Sequence, residues 1–319
     1  MSLLDVQGLK MYYSTLKGDV KAVDKVDLNI RRKETIGLVG ESGCGKTTFA
    51  LAIMRLLPWN GRIVSGKVLF DGVDLVDIEE KKFNSDYRWK RLSYVFQGAM
   101  NALNPVFKVG DQIAEAITLH ENVDKEEALG RARNLFKLVG IDPNRVTNYP
   151  HELSGGMKQR AMIAMALACN PDFIIADEPT TALDVIVQAQ TLQVIDRLSK
   201  ELGLTMMLIT HDLSVVAQTC MKCAIMYAGK IVEYTDINTV FEEPLHPYTK
   251  ALTSAFPSIK EERKELTSIR GAPPNLLEPP TGCRFNPRCP YAMKICEEKE
   301  PEYKEHGEGH YVACHLLDY

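Results

Sequence analysis

The chain has 319 residues, 45% hydrophobic and 25% charged, enough for one large α/β domain with a folded core and an appendage. A net charge of -4 and a pI near 6.0 argue against generic nucleic-acid binding, which shows as strong basicity. No apolar run approaches the roughly twenty residues that cross a bilayer, and residues 1–6 carry neither a charged n-region nor a long apolar stretch, so the chain reads as cytosolic without a secretory signal.

Residues 1–97 alternate short apolar strands with turns, among them 26–30 and 67–70, the latter ahead of an Asp71-Gly72 turn. Residues 35–39 are apolar and β-branched and read as a buried strand. Gly40, Glu41, Ser42, Gly43, Cys44, Gly45, Lys46 and Thr47 then form a complete G-x-x-x-x-G-K-[ST] loop, followed by Thr48 and a helix expected over 46–56, with Pro58 just beyond it. Strand, glycine loop and helix form the context that gives such a loop its meaning. Glycines let backbone N–H groups wrap phosphates, and the helix N-terminus adds the positive end of its dipole. Lys46 is placed to reach the β- and γ-phosphates of a nucleoside triphosphate, and the Thr47 hydroxyl to meet Mg²⁺. Tyr12 and Tyr13 precede the loop. Either ring suits stacking on a base or a place at the edge of the core.

Residues 92–96 read as a strand ending at Gln97, whose neutral, far-reaching amide suits a contact to Mg²⁺ or water that engages and releases. Residues 98–158 read as helical, with Leu129, Ala132, Phe136 and Val139 at helical spacing and Gly140 as the stop. This stretch closes on Ser154, Gly155, Gly156 and Met157, where Ser154 is placed to cap the next helix and present an anion-attracting N-terminus. Residues 173–178 are an apolar strand ending in Asp177 and Glu178. Asp177 suits the Mg²⁺ shell, and Glu178 is placed to polarise an attacking water. Residues 205–210 form another buried strand, and His211 follows at its end, where open α/β sheets place their ligand sites. Residues 224–234 read as a closing hairpin.

In this order, the loop at 40–47 (Walker A), Gln97, the 153–157 signature, the carboxylate strand at 173–178 (Walker B), Ala182-Leu183-Asp184 and His211 resemble an ABC-type ATPase domain over roughly residues 1–240. The stretch 97–105, the segment 245–252 and the cysteine-bearing tail narrow the resemblance to ATPase subunits of oligopeptide and dipeptide importers, and extend it over nearly the whole chain. The resemblance implies an α/β fold: a P-loop (RecA-like) ABC ATPase core with an antiparallel β-subdomain, a helical subdomain and a small irregular metal-bound C-terminal appendage. It places the nucleotide-binding core at 1–97 and 159–240, the helical subdomain at 98–158 and the peptide-importer-type region at 241–319. It implies ATP and Mg²⁺ as ligands, with Glu178, His211, Lys46 and Gln97 in the catalytic set. By the same resemblance Tyr13 would stack on adenine. Ser154, Gly155, Gly156 and Met157 would contact the γ-phosphate held by a second ATPase subunit, and Asp184 would sit in the D-loop across that dimer. Thr47, Gln97 and Asp177 would hold the magnesium ion. The implied partners are two integral-membrane permeases and, indirectly, an extracytoplasmic peptide-binding protein, with the chain peripheral on the cytoplasmic face of the membrane. Relatives that import nickel or oligosaccharides use similar subunits. A soluble, nucleic-acid-associated ABC ATPase is the competing class, but its usual second module, coiled-coil arms or basic arms are not visible in the sequence, and no nucleic acid is expected.

From residue 271 the texture changes. Pro273, Pro274, Pro279, Pro280, Pro287 and Pro290 forbid long helices and regular strands. Four of the eight cysteines lie here, Cys283, Cys289, Cys296 and Cys314, separated by five, six and seventeen residues. Clustered thiols in a cytosolic chain suggest metal rather than disulfides, and a small proline-rich segment gains from a metal staple. Four thiolates suit [4Fe-4S] or Zn²⁺. The resemblance to cluster-bearing importer ATPases favours [4Fe-4S], with Zn²⁺ the runner-up. His306, His310 and His315 flank Cys314 as further candidate ligands, while Cys44, Cys220 and Cys223 are read as core or loop thiols.

Overall fold

The computed structural model describes residues 2–98, 102–181, 183–254 and 269–318. Its residues divide into two units, Met1–Arg31 with Ile36–Val76 and Thr210–Tyr319, and Arg32–Thr35 with Asp77–Ile209. Ala99, Met100 and Asn101 of the segment after Gln97, Ala182 of the D-loop, and residues 255–268 lie outside the described residues.

The first unit opens with β1 (Ser2–Thr15) and β2 (Gly18–Arg31), an antiparallel hairpin closing at Thr15 opposite Gly18. Leu4, Val6, Leu9 and Met11 of β1 are buried, as are Val23, Val26, Leu28 and Ile30 of β2. Apolar residues on one face of a two-sided strand pair are what fix its register. β3 (Thr35–Val39) is buried at every position and leads through the glycine loop into α1 (Lys46–Ile53). The helix is shorter than the sequence suggested, because Arg55 takes a left-handed φ of 51° and turns the chain before Pro58. β4 (Gly61–Phe70) and β5 (Val73–Asp74) complete an antiparallel sheet in the order β2-β1-β4-β5.

In the second unit, α2 (Glu80–Asp86) and β6 (Leu92–Val95) precede a helical stretch of α3 (Val109–His120), α4 (Lys125–Leu138) and α5 (Gly155–Ala166). Asp124 caps α4 by accepting from the Glu127 N–H, and Gly140, at φ 73°, ends it. Ala132, Phe136 and Val139 are buried as the spacing predicts, but Ala128 rather than Leu129 completes the stripe. β7 (Phe173–Asp177), α6 (Val185–Leu202) and β8 (Thr205–Thr210) follow. β6, β7 and β8 pair in parallel, Leu92 opposite Phe173 and Phe173 opposite Thr205. The near-continuous apolar content of β7 and β8 is typical of parallel strands covered on both faces.

The chain then returns to the first unit through α7 (Leu213–Thr219), β9 (Lys222–Tyr227) and β10 (Lys230–Asp236). β9 runs parallel to β3, and Ala228 and Gly229 turn it into β10 with left-handed φ values of 47° and 84°, the geometry that matches a hairpin's twist. α8 (Ile237–Glu242) and α9 (Pro247–Ser254) come next. The tail holds α10 (Lys294–Glu298), β11 (Tyr303–Glu305) and β12 (Tyr311–Ala313). The prolines do keep the tail's elements short. The sequence reading nevertheless missed that β12 pairs with β10, extending the sheet to β11-β12-β10-β9-β3. Among the described residues no helix is long and apolar enough to cross a membrane.

Candidate nucleotide site and cysteine tail

The phosphate loop belongs to the first unit. Gly45 is the N-cap of α1 at φ 108°, and a Cβ there would lie 2.1 Å from the Ala22 carbonyl oxygen. Both the backbone angle and the close approach therefore demand glycine. The loop leaves Ser42, Gly43 and Thr47 exposed and buries Cys44 and Lys46. Lys46 is 6% exposed. Its Nζ donates to the carbonyls of Gly40 (2.7 Å) and Glu41 (3.0 Å) and lies 3.8 Å from the Cys44 sulfur. A buried cation at the head of a helix with unpaired first-turn N–H groups makes a positive cradle for phosphate. Burial raises the pKa of the Cys44 thiol, which keeps it a neutral packing group.

The two tyrosines separate. The Tyr13 hydroxyl lies 3.0 Å from the Thr48 hydroxyl, on the first turn of α1. Tyr12 instead donates to Asp24 at 2.9 Å, and burial pushes its pKa up to about 12. Tyr13, not Tyr12, is the ring attached to the loop's helix. His211 is exposed at the end of β8, and its neighbour Asp212 caps α7 by accepting from the Ser214 N–H at 2.8 Å.

The second unit assembles the carboxylates. Asp177 ends β7 and is 1% exposed, with its Oδ2 accepting from the Tyr94 hydroxyl at 2.8 Å. Burial, reinforced by the charge of Asp177, raises the Tyr94 pKa far above its ordinary value, so this phenol remains a donor. Glu178 follows with a left-handed φ of 45°, a strained conformation for a non-glycine residue, and its N–H donates to the Ile209 carbonyl at 2.9 Å. That turn swings the carboxylate out of the strand. Its Oε2 accepts from the Gln97 amide at 2.8 Å and from the Thr181 hydroxyl at 3.0 Å. Gln97 and Glu178 are thus brought together from the ends of β6 and β7. The sequence reading missed Tyr94 and Thr181. The one available signal was spacing, Thr181 three residues beyond Glu178.

Two helix starts meet in the same unit. Ser154 caps α5 by accepting from the Met157 N–H at 3.3 Å, and Asp184 caps α6 by accepting from the Val187 N–H at 3.0 Å. A Cβ on Gly156 would lie 2.3 Å from a Val187 methyl. The glycine therefore lets the two helix heads touch, which the motif alone did not reveal. Val185 and Ile186, just beyond Asp184, are 82% and 72% exposed.

In the tail, no group of three or more His, Cys, Asp or Glu side chains among the described residues converges as a metal-ion site. The metal-bound appendage expected from Cys283, Cys289, Cys296 and Cys314, whether with [4Fe-4S] or Zn²⁺, is therefore not formed as a closed ligand set. What the structure does hold is a neighbourhood of thiols. Burial pushes Cys283 up to about 12, and the other three tail thiols add to the shift. Burial likewise raises Cys314 to about 11, with Cys289 and Cys296 contributing. The backbone N–H groups of Phe285, Tyr291 and Leu316, each two residues on, pull Cys283, Cys289 and Cys314 back down. Asn286 ties the turns together by donating to the carbonyls of Cys283 (2.8 Å) and Cys296 (3.2 Å). Two of the three flanking histidines are engaged elsewhere: His310 bonds Glu233 at 2.7 Å and His315 bonds the Lys299 carbonyl at 2.9 Å, while the Nε2 of His306 is buried without a hydrogen-bond partner among the described residues. Cys220 and Cys223 are buried, as read from the sequence.

A phosphate loop with a buried lysine in one unit and a strand-end carboxylate pair with a glutamine on it in the other are the parts that a nucleoside-triphosphate hydrolase uses. Comparison with known proteins carries this further. Residues 23–181 match the ABC transporter family, and residues 232–296 match the oligopeptide/dipeptide transporter C-terminal region. A probable peptide ABC transporter ATP-binding protein of Sinorhizobium fredii is 47% identical over 98% of this chain and 94% of its own length. An oligopeptide transport ATP-binding protein of Escherichia coli is 45% identical over 98% and 93%. A dipeptide transport ATP-binding protein of Escherichia coli is 43% identical over 99% and 97%. Among solved structures, a dimeric ATP-binding cassette in a post-hydrolysis state bound to ADP and phosphate is similar with a TM-score of 0.65 and 27% identity, over 73% of this chain and 98% of that one. The chain belongs to the ATP-binding subunits of ABC transporters, in the group that carries the oligopeptide/dipeptide transporter C-terminal region.

Proposed function

We propose that this chain is the ATP-hydrolysing subunit that powers import of dipeptides or oligopeptides. The observation that carries this reading is the joint presence of a cassette match over residues 23–181 and a peptide-transporter region over 232–296 in one chain. In this reading residues 1–97 and 159–240 are the nucleotide-binding core, 98–158 the helical subdomain and 241–319 the peptide-importer region. The protein acts on the cytoplasmic face of the membrane, as one of two ATPase subunits docked on two permeases that receive cargo from an extracytoplasmic binding protein.

The residues take the following roles. The loop Gly40–Thr47 with Thr48 wraps the phosphates, Lys46 neutralises the β- and γ-phosphates, and Tyr13 stacks on adenine. Thr47, Gln97 and Asp177 offer only oxygen ligands, a donor set suited to a hard cation, and the Mg²⁺ they would hold neutralises phosphate charge. Glu178, swung out by its left-handed turn and steadied by Gln97 and Thr181, polarises the attacking water. His211 orients that water against the γ-phosphate. Ser154, Gly155, Gly156 and Met157 of one protomer meet the γ-phosphate on the other, with Asp184 beside them. Binding ATP preferentially to the closed pair couples hydrolysis to the permeases.

We extend the proposal to the tail. Four thiols in one small region, three of them with a backbone N–H two residues on to bond the sulfur, suit a [4Fe-4S] cluster held by Cys283, Cys289, Cys296 and Cys314, although burial keeps the free thiols protonated until a metal takes their protons' place. A cluster accepts thiolates set wider apart than the four that close on one Zn²⁺, so it tolerates a ligand set that does not converge on a point. When bound, it supplies a covalent staple for the tail.

The test uses the protein with its co-purifying membrane partners in lipid vesicles. ATP-driven uptake of a labelled dipeptide or oligopeptide is expected. Glu178→Gln should keep ATP bound while uptake and turnover fall about a hundredfold or more. Uptake unaffected by Glu178→Gln, or co-purification with no membrane protein, refutes the reading.

A further inference from the structure

The phosphate loop contains its own anion. Glu41 follows the first glycine of the loop, where a triphosphate carrying several negative charges must settle. Left alone, a carboxylate there opposes the ligand, because like charges a few ångströms apart repel strongly outside bulk water. Its compensation comes from the far end of the sequence. Arg288, its side chain only 6% exposed, grips both oxygens of the Glu41 carboxylate, at 2.7 and 3.0 Å. The same guanidinium donates to the Tyr227 hydroxyl at 3.3 Å and, through Nε, to the Arg270 carbonyl at 2.9 Å. Four N–H bonds fix this fork, so it is a bidentate pair in a defined orientation rather than a mobile surface charge.

The backbone of Glu41 is held from the same side. Its N–H donates to the Tyr248 hydroxyl at 3.0 Å. Tyr248, Tyr227 and Phe285 pack as one aromatic group, with ring centroids 4.7, 5.1 and 5.4 Å apart. Phe285 lies between Arg284 and Arg288 in the turn that joins Cys283 to Cys289. Arg284, also 6% exposed, bonds Asp24 and the carbonyl of Ala228. The next residue, Gly229, donates to the Cys44 carbonyl of the phosphate loop at 2.7 Å. Two arginines of one tail turn therefore reach the loop, one directly and one through the β9–β10 turn.

We propose that Arg288 is a positioning residue for nucleotide binding: its bidentate pair with Glu41 neutralises the carboxylate inside the phosphate loop and fixes the loop's first turn for the incoming triphosphate. The C-terminal tail is thereby part of the nucleotide site. This inference stands on the loop, the aromatic group and the ion pair, whether or not the tail carries a cluster.

The experiment is a double-mutant cycle on the full-length protein, with ATP, ADP and AMP affinities measured by displacement of a fluorescent nucleotide and folding checked by thermal unfolding. Arg288→Ala is expected to weaken ATP binding about tenfold, as an uncompensated and partly buried partner charge should. The loss should shrink from ATP to ADP to AMP, since repulsion scales with ligand charge. In a Glu41→Gln background the same Arg288→Ala change should cost no more than about twofold, because the carboxylate it served is gone. Arg288→Lys, which keeps the charge but loses the fork, should fall between. An equal loss in both backgrounds, an equal loss for all three nucleotides, or no loss at all overturns the proposal. The first two results would mean that Arg288 merely helps the tail to fold.

Discussion

The phosphate loop and the cysteine tail lie in the same unit but are held in place by opposite means. The loop is fixed chiefly by backbone: a buried strand before it, a helix after it, and glycines where a Cβ would collide with a carbonyl, as Gly45 would with Ala22; Glu41 is also held by distant side chains, Arg288 and Tyr248. The tail has only short elements and few large buried side chains of its own, chiefly Phe285 and Val312. It is held by side chains that reach outward, Arg284 to Asp24, Arg288 to Glu41 and His310 to Glu233. Chemistry requiring sub-ångström backbone placement is thus written into local sequence. An appendage lacking an adequate core borrows stability from its neighbours through these side chains.

The largest effect expected is at the loop. Lys46→Ala should reduce ATP affinity about a hundredfold and abolish turnover while leaving the thermal unfolding transition nearly in place. Nucleotide titration beside a melting curve checks it, and unchanged ATP affinity would break the loop's side of the comparison. The tail should respond the other way. With the proposed cluster in place, stripping it with a chelator, or Cys283→Ser, should release amide protection in β11 and β12 while the parallel strands β6, β7 and β8 stay protected. Hydrogen exchange reads both regions in one experiment, and equal protection before and after would mean that side-chain anchors alone suffice.

The smallest effect is a pH dependence where the two regions join. His246 is 1% exposed, and its Nδ1 accepts from the Tyr248 N–H at 3.0 Å, which needs the ring neutral. Burial lowers its pKa from 6.5 to about 4, against the opposing pull of Glu233. The folded state therefore stays unprotonated while the unfolded chain takes up a proton below pH 6.5. Stability should fall as pH drops from 6.5 to about 4, by about 1.4 kcal/mol per unit at most, and level off below. Urea unfolding of the parent and of His246→Gln across that window checks it. A slope that survives the substitution assigns the effect to other groups.

Most of the loop and the strand-end carboxylates were legible because their chemistry demands particular residues at fixed spacing: Gly40, Gly43, Gly45 and Lys46, Asp177 and Glu178, Ser154 and Gly156. The strands 35–39, 173–177 and 205–210 were legible because buried parallel strands read as unbroken apolar runs. Partners set far apart in sequence were not legible. Nothing near Glu41 announces Arg288, and nothing near Tyr94 announces Asp177. The pairing of β12 with β10 was hidden because β12 is only three residues long, Tyr311–Ala313, and its pairing is set by a distant strand. Helix α1 ended early for a local reason that residue preference did not register, the left-handed turn at Arg55.

The most direct test of the account joins two copies of the chain. Ser42→Cys places a thiol on the exposed tip of one phosphate loop, and Gly155→Cys places one at the head of α5 on its partner. If ATP is sandwiched between the two, these thiols should crosslink with ATP present, more readily still with Glu178→Gln, and much less with ADP. No crosslink under ATP, either in the purified protein or in its membrane complex, would contradict the proposed engine.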